Sequence, residues 1–563
     1  MEGQSRKWMI LVATTWIQAF TGTNFDFSSY SSTYKSVLGI SQVQLNYLAV
    51  ASDMGKAFGW CSGLSLMHFP LWVVLLMAAF MGLVGYGLQW LVISKIITLP
   101  YVLVFLLCLT AGCSICWFNT VCYVLCIKNF ATDRALALSL TISFNGVSAA
   151  IYTLIANAIN PQNDNLYLLL NAVVPLLVSV LALLPILRQP PLYQLSPDAA
   201  RHDSSIFLVL NFLAIFTGLY LLLLNSLSSV ASTACFLLGG AILLLVLPLC
   251  LPGIVCARNW ARHTIHAIFH SQRSSSNLVD TDDLDLVKEL IGSENGNGSN
   301  GNSYGVMEND SCFSCLGRIL EKDRLTMLGE EHSAPVLVRR WDFWIYYIAY
   351  FCGGTIGLVY SNNLGQIAQS LGYYSELNSL ITLYSTCSFF GRLLSAAPDF
   401  LRDKVCFART GWLAVAIVPT PIAFFLLVAS GSEGALRACT TLVGLSSGFV
   451  FSAAVSITSE IFGPNNAGVN HNILITNIPI GSLLYGLLAA IVYDSNAGST
   501  NLLESLLGKE MLCMGRQCYL KTFIAWGCIS LVGVAASSVL FLRTRPAYAY
   551  YRFESSRNGT QSS

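Results

Sequence analysis

The sequence predicts an all-α, polytopic membrane protein with about fourteen spans. Three observations predict this class: 55% of the 563 residues are hydrophobic, 10% are charged where a soluble domain has about 25%, and long apolar stretches recur along the chain. A helix of about 20 apolar residues crosses the hydrocarbon core of a bilayer, whereas each strand of a membrane barrel shows only about ten alternating residues. The net charge of +1 gives no indication of a nucleic-acid partner.

The candidate spans fall into groups of six, two and six. Each is a stretch of about 20 mostly apolar residues. They are expected at residues 8–27, 44–66, 71–93, 99–127, 136–158, 166–187, 205–226, 230–256, 341–361, 377–397, 409–430, 435–460, 469–493 and 520–542.

The first span begins after Arg6 and Lys7, which is similar to the charged start of a signal peptide. It nevertheless continues for about 20 residues, enough to cross a bilayer. It also carries Gln18, Asn24 and Asp26, and it shows no small-residue cleavage site. We therefore predict a retained transmembrane helix.

Five regions follow from this spacing. They are an N-terminal six-helix bundle at 1–190, two additional membrane helices at 191–256, a cytosolic linker at 257–340, a C-terminal six-helix bundle at 341–545 and a cytosolic tail at 546–563. The linker contains an acidic run and a stretch rich in Asn, Gly and Ser, which cannot bury enough apolar surface to fold. We expect it to be flexible and to be the region through which any cytosolic partner binds.

The distribution of lysine and arginine indicates how the spans are oriented. With the N-terminus in the cytosol, fourteen spans place most basic residues on the cytosolic side, among them Arg6, Lys7, Lys128, Arg134 and Arg543. We therefore expect both termini in the cytosol. The pattern fits the plasma membrane and an endomembrane, such as the endoplasmic reticulum or the vacuole, equally well.

Asp53 and Lys56 are charged residues inside the second expected span. Such residues are costly in a bilayer and mark functional sites by default. A spacing of three places both on one helix face, so the pair is a candidate proton or substrate site. The alternative is a structural ion pair in which each charge neutralises the other. Gly55, Gly59 and Gly63 recur every four residues beside the pair, a spacing that favours close approach of another helix.

Three asparagines in other spans are candidates for the same pathway. Asn119 lies in the fourth span, Asn145 in the fifth and Asn477 in the thirteenth, where Pro479 and Gly481 follow. Proline and glycine interrupt membrane helices and free backbone carbonyls that line a cavity. The pattern predicts a substrate path along these residues; hydrogen bonding between helices is the alternative.

His471 and two late cysteines lie in and after the thirteenth span. The histidine lies near the cytosolic end of its span, and we expect it to be hydrated. Cys513 and Cys518 lie five apart in the last external loop, where oxidation is permitted. We predict that they pair in a disulfide, with free thiols as the alternative.

No enzyme, cofactor or metal site is predicted. The chain lacks G-x-x-x-x-G-K-[ST] and H-E-x-x-H, and nothing marks a catalytic triad. Cys312 and Cys315 form a single C-x-x-C, which is weak evidence for zinc, so free or lipidated thiols are favoured. His263, His266 and His270 share one face of a short stretch, where an interfacial helix is favoured over a metal site.

Short runs of residues across both halves form a recognisable set. They are Trp8, Asn24, Asp53, Gly55, Gly59, Gly85-Tyr86-Gly87-Leu88-Gln89-Trp90, Phe118-Asn119-Thr120, Asn129-Phe130, Arg134, Asp342-Phe343-Trp344, Leu371-Gly372-Tyr373, Gly391-Arg392, Ser459-Glu460-Ile461-Phe462-Gly463, Asn477, Pro479, Gly481-Ser482, Tyr493-Asp494, Cys513, Gly515 and Cys518. Singly each run is weak, but jointly they are specific. Together they resemble the plant nodulin-like, or nuclear-fusion-defective-like, group of the major facilitator superfamily.

The resemblance implies two six-helix bundles related by a pseudo-twofold axis, with the two additional helices between them in sequence. It also implies a substrate cavity at the bundle interface and alternating access by rocking of the bundles. The function expected is secondary active transport of a small solute. A more distant similarity to oxalate/formate-type exchangers points to small organic anions. The alternative is a transporter-like receptor or regulatory protein that moves nothing.

One loop departs from the superfamily pattern. The superfamily usually carries G-x-x-x-D-R-x-G-R-[RK] between its second and third helices, but residues 59–68 of this chain contain neither the acidic nor the arginine residues of that motif. The corresponding place in the second half keeps Gly391 and Arg392, with Asp399 further on. Gly391, Arg392 and Glu460 are therefore assigned gating or structural roles.

Overall fold

The computed structural model describes residues 2–40, 42–130, 133–160, 163, 165–187, 197–224, 230–251, 325, 327–401, 407–497 and 513–561. All regular elements in these residues are helices, as the apolar composition predicts. In the first half they are α1 Glu2–Thr21, α2 Phe27–Leu38, α3 Gln42–Ala57, α4 Gly59–His68, α5 Leu71–Ile93, α6 Tyr101–Asn129, α7 Arg134–Gly146, α8 Ser148–Ile159, α9 Leu166–Ile186, α10 Pro197–Leu224 and α11 Ala231–Val246.

The second half repeats this arrangement of long apolar helices. A π-helical turn, Phe351–Thr355, joins its first two helices. They are α12 Trp341–Tyr350, α13 Ile356–Leu371, α14 Leu377–Leu394, α15 Arg409–Ile417, α16 Pro419–Ala429, α17 Glu433–Ile461, α18 Ala467–Leu474, α19 Asn477–Ala497 and α20 Gln517–Gln561.

Eleven helical segments of the described chain are long and apolar enough to cross a membrane. The expected spans 8–27, 44–66 and 377–397 coincide with helices that are not among the eleven. The second of them is divided at Phe58 into α3 and α4, and each piece is shorter than the roughly 20 residues that a span needs. The chain is thus a multi-pass integral membrane protein, while the count of fourteen and the orientation remain predictions.

Two boundaries differ from the expected domain limits. Residues 327–340 do not form part of a loose linker, because they pack on the second bundle: His332 is buried, and Gly329 N–H donates to the Glu460 carbonyl at 2.7 Å. Residues 257–324 and 326 lie outside the described residues. The last bundle helix also continues past Arg545, where the Tyr548 hydroxyl donates to Glu460 Oε2 at 2.8 Å.

Several spans are divided by a tight turn, and at one of these turns proline removes a regular hydrogen bond. Pro479 has no N–H to donate to the carbonyl four residues earlier, that of Ile475. Ile478 N–H donates to this carbonyl instead, at 3.0 Å, and a tight turn separates α18 from α19. A similar turn separates α7 from α8, where Val147 N–H donates to the Phe144 carbonyl.

The two bundles meet along two seams. On one side, α3 and α4 of the first bundle pack against α19 and α18 of the second; on the other side, α7 packs against α14. The additional helices lie beside this second seam. Helix α11 packs on α8, and α10 contacts both α7 and α14, where Gly218 faces the rings of Phe389 and Phe390.

A buried ion pair between Lys7 and Asp203 joins α10 to α1 of the first bundle. Asp133, in the turn before α7, lies near this pair, and burial raises the pKa of its carboxyl. The negative charge of Asp203 raises that pKa further, while Lys7 lowers it. Helix α10 is therefore fixed electrostatically to the first bundle and touches the second through apolar contacts.

Candidate functional site

A central cavity of about 80 Å³ lies between the two bundles. Its polar lining comes from both halves of the chain, while the remainder is apolar. The polar and phenolic side chains are Lys56, Asn119, Tyr123 and Asn145 of the first half, and Tyr350, Arg392, His471 and Asn472 of the second. Of the expected pathway residues, Lys56, Asn119 and Asn145 therefore share one space.

Lys56 lies one residue before the end of α3, at the level where this helix packs tightly on α6. The close approach depends on glycine, because a Cβ atom on Gly55 or Gly112 would overlap the backbone of the opposite helix. Lys56 Nζ donates to Asp53 Oδ1 at 2.6 Å. The spacing of three thus produces the expected ion pair, with Lys56 bordering the cavity.

Asp53 also joins the two bundles. Ser482 Oγ donates to Asp53 Oδ2 at 2.6 Å, and Asn362 Nδ2 donates to the same oxygen at 3.2 Å. Both donors belong to the second bundle. The carboxylate is 3% exposed, and its three donors compensate for the water that it has lost. The pair is therefore both an ion pair within α3 and a contact between bundles.

Arg392 lies inside the cavity rather than in a loop. Its guanidinium NH1 donates to Asn145 Oδ1 at 2.8 Å and to the Ile142 carbonyl at 3.2 Å, both on α7 of the opposite bundle. The guanidinium carbon also lies 5.9 Å from the centre of the Phe451 ring. Its neighbour Gly391 serves packing, because a Cβ atom there would overlap the Leu445 carbonyl on α17.

The expectation of a hydrated His471 is wrong, since the side chain is 5% exposed and its ring meets the edge of Tyr123. It is buried because α18 packs against α4 and α6. Asn472 Nδ2 donates to Thr120 Oγ1 at 3.0 Å, which adds a polar contact between bundles. Asn477 does not line the central cavity; its Oδ1 accepts from Thr355 Oγ1 at 2.9 Å within the second bundle.

Glu460 belongs to an ionic network at one end of the second bundle. Arg409 Nε donates to Glu460 Oε1 at 2.9 Å, and Arg409 NH2 donates to Asp399 Oδ1 at 2.5 Å. This network lies away from the cavity lining and joins α15, α17 and the short turn between α14 and α15. Elsewhere in this half, Cys513 and Cys518 form a disulfide.

Within the described ranges, no group of three or more His, Cys, Asp or Glu side chains is arranged to hold a metal ion. The sequence candidates for metal binding lie outside the described residues: His263, His266, His270, Cys312 and Cys315. Sequence reasoning missed Tyr123, Tyr350 and Asn362, because neutral side chains in an apolar span carry no signal of which face meets a cavity.

Comparisons with known proteins place both halves in described families. Residues 7–253 match the Nodulin-like family, and residues 326–550 match the family described as NFD4, C-terminal domain. Protein NUCLEAR FUSION DEFECTIVE 4 of Arabidopsis thaliana is 57% identical over 551 residues, which cover 97% of this chain and 90% of that protein. Probable transporter MCH1 of Yarrowia lipolytica is 26% identical over 211 residues, 35% of this chain and 41% of that protein.

Solved structures show the same fold at low sequence identity. A bacterial homologue of the human lysosomal transporter Spinster matches with a TM-score of 0.53 and 10% identity, over 96% of this chain and 97% of its own. The major facilitator proton:xylose symporter XylE matches with a TM-score of 0.52 and 12% identity, over 95% of both chains. The chain therefore has the major facilitator fold.

Proposed function

Because the chain belongs to the nodulin-like family and carries the NFD4 C-terminal domain, we propose that it is a secondary transporter of a small organic anion. Its bundles alternate in exposing the central cavity to the two sides of the membrane. The relatives named as transporters and the shared fold support transport, and the charges in the cavity support an anion.

One observation carries the choice of an anion. Two basic side chains from opposite bundles, Lys56 and Arg392, border the same cavity, and its lining contains no acidic residue among the residues that the structure describes. Asn119, Asn145 and Asn472 add amide donors. Guanidinium, ammonium and amide groups together match the oxygen atoms of a carboxylate.

The same two basic residues also take part in contacts between bundles. Arg392 donates to Asn145 across the interface, and Lys56 is paired with Asp53, which accepts from Ser482. An anion that takes over the donors of Arg392 and Lys56 competes with these bonds. A ligand shifts a conformational equilibrium only by binding its states unequally, and this competition provides such a difference.

Uptake by purified protein in liposomes tests the proposal. We expect saturable uptake of small carboxylates such as formate and oxalate, and no uptake of a neutral sugar. A charged hydrogen bond contributes about 1.5–3 kcal/mol, so Arg392→Gln should weaken apparent affinity roughly 10- to 150-fold. Arg437→Gln is the matched control, because Arg437 is exposed and paired with Glu376 and Glu433 away from the cavity.

Equal uptake of carboxylates and sugars, unaffected by Arg392→Gln, would reject an anion site. A receptor that moves nothing remains the second candidate, favoured by the absence of Asp, Glu, Lys and Arg from α4, Gly59–His68. Calorimetric binding of a carboxylate without either net uptake or counterflow would support that candidate instead.

A further inference from the structure

Asp26 is a buried carboxyl group that the cavity does not use. It ends a short 3₁₀ turn, Thr23–Asp26, between α1 and α2, and its side chain is 1% exposed. Neither carboxyl oxygen has a hydrogen-bond partner in the part of the chain that the structure describes. Asp53, by contrast, has three hydrogen-bond donors, so the two buried carboxyl groups of the first bundle differ in the number of hydrogen bonds that they accept.

The groups around Asp26 are neutral. The titratable side chains that interact with it electrostatically are phenols: Tyr30 on α2, Tyr86 on α5 and Tyr152 on α8. These phenols are neutral at physiological pH. The hydroxyls of Tyr86 and Tyr152 have other partners, since Tyr86 lies 2.7 Å from the Thr23 hydroxyl and Tyr152 donates to the Phe20 carbonyl.

An ionised carboxylate in this position would lose its hydration without gaining a donor or a counter-charge. An unpaired buried charge is so unfavourable that a carboxyl group takes up a proton instead. The neutral acid has a much smaller desolvation penalty. The surroundings of Asp26 therefore fit the protonated form, whereas those of Asp53 fit the ionised form.

A second cavity lies between the tyrosines that interact with this carboxyl and the interface of the bundles. It holds about 20 Å³ and is bordered by Tyr30 and Tyr86, which interact with Asp26, and by Asp53 and Asn362 at the seam. Gln89 also lines it, and Gln89 Nε2 lacks a partner in the described chain. Water entering when the seam opens would reach the tyrosines that cover Asp26.

We propose that Asp26 is a proton-binding site, occupied in the arrangement seen here, and that its proton is the coupling ion of the transporter. When the seam opens and water enters, the carboxyl O–H bond breaks, the proton passes to water and Asp26 becomes a hydrated carboxylate. Rebinding of a proton restores the neutral acid before the cavity closes. The coupling role rests on the transport function proposed above, whereas the proton site does not.

Infrared difference spectroscopy on the purified full chain tests the proton site without transport. Asparagine has the shape of a neutral aspartic acid, so Asp26→Asn should fold with an unchanged unfolding midpoint. It should lose a protonated-carboxyl C=O band that the wild type shows at neutral pH. Asp53→Asn is the matched control and should keep that band. If Asp26→Asn keeps the band, the proposal is wrong. The proposal is also wrong if the wild type lacks the band and its unfolding midpoint depends on sodium.

Liposome assays test the coupling role. Counterflow exchanges substrate without net proton release, so Asp26→Asn should retain counterflow while it loses uptake driven by a pH gradient. Gradient-driven uptake at wild-type rates in Asp26→Asn would overturn the coupling role. The two proposals can fail separately. If the wild type shows no uptake but Asp26→Asn loses the infrared band, the transport function is rejected and the proton site is upheld.

Discussion

The two bundles share a fold but stabilise their corresponding ends by different interactions. In the first half, α4 passes into α5 through Phe69 and Pro70, and residues 59–68 contain no Asp, Glu, Lys or Arg. In the second half, Arg409 holds Asp399 and Glu460 in the corresponding region. The comparison shows that one architecture tolerates this end of a bundle with or without an ionic network.

Close packing in the first half depends on small residues. Cβ atoms added at Gly55 and Gly112 would overlap backbone between α3 and α6, and one at Gly63 would meet Val469 of the second bundle. Such glycines let helix backbones approach in a membrane, where hydrophobic attraction between helices is absent. In the second half, α14 and α17 also approach through glycine, since a Cβ atom on Gly391 would overlap the Leu445 carbonyl, and the Arg409 network adds hydrogen bonds between charged groups.

The largest effect is expected from removing a buried ion pair of the second half. Arg543 Nε donates to Asp342 Oδ1 at 2.5 Å, and the two side chains are 0% and 2% exposed. Arg543→Gln leaves a buried carboxylate without its counter-charge and should lower the free energy of unfolding by about 3–5 kcal/mol. Denaturant titration in detergent measures the change. Exposed Arg437→Gln should cost about 0–1 kcal/mol, and equal losses in the two variants would contradict the prediction.

The next effect is expected from disturbing the close packing of helices in the first half. Gly112→Ala places a methyl group against the backbone of Ser52, so α3 and α6 must separate, at a cost of about 1–3 kcal/mol. Gly239→Ala is the control, because a Cβ atom there meets nothing within 4 Å and alanine favours a helix. The same unfolding titration should show a loss for the first variant alone. A stable Gly112→Ala would mean that glycine is not required for the contact.

A third effect is expected at the opposite end of the second half. The Cys513–Cys518 disulfide closes a loop with a sequence separation of five, so replacing both residues by serine should cost about 2 kcal/mol. Reductant should lower the unfolding midpoint of the wild type and leave the double serine variant unchanged. Equal sensitivity of both proteins to reductant would show that the loop contributes no stability through this bond.

Sequence patterns predicted the local features of the site well. Helical spacing alone indicated that Asp53 and Lys56 share a face, and the structure pairs them at 2.6 Å. Apolar stretches of about 20 residues likewise predicted where the long helices lie. The break before Asn477 was expected from Pro479, whose missing N–H is a property of the residue itself.

Sequence patterns could not predict the contacts between distant segments. Nothing near Asp53 in sequence indicates that Ser482 and Asn362 donate to it, because those residues arrive only when the bundles meet. The position of Arg392 in the cavity depends equally on the packing of α14 against α7. Asp26 was visible as a polar residue in an apolar span, but its lack of donors is a property of three surrounding helices.

The position of α10 has a consequence for molecules dissolved in the bilayer. This helix lies on both α7 and α14, with Gly218 against Phe389, and the Lys7–Asp203 pair anchors it. Acyl chains cannot occupy that flank of the seam while α10 covers it. A lipid-soluble molecule that approaches the cavity from within the membrane must therefore enter at another flank.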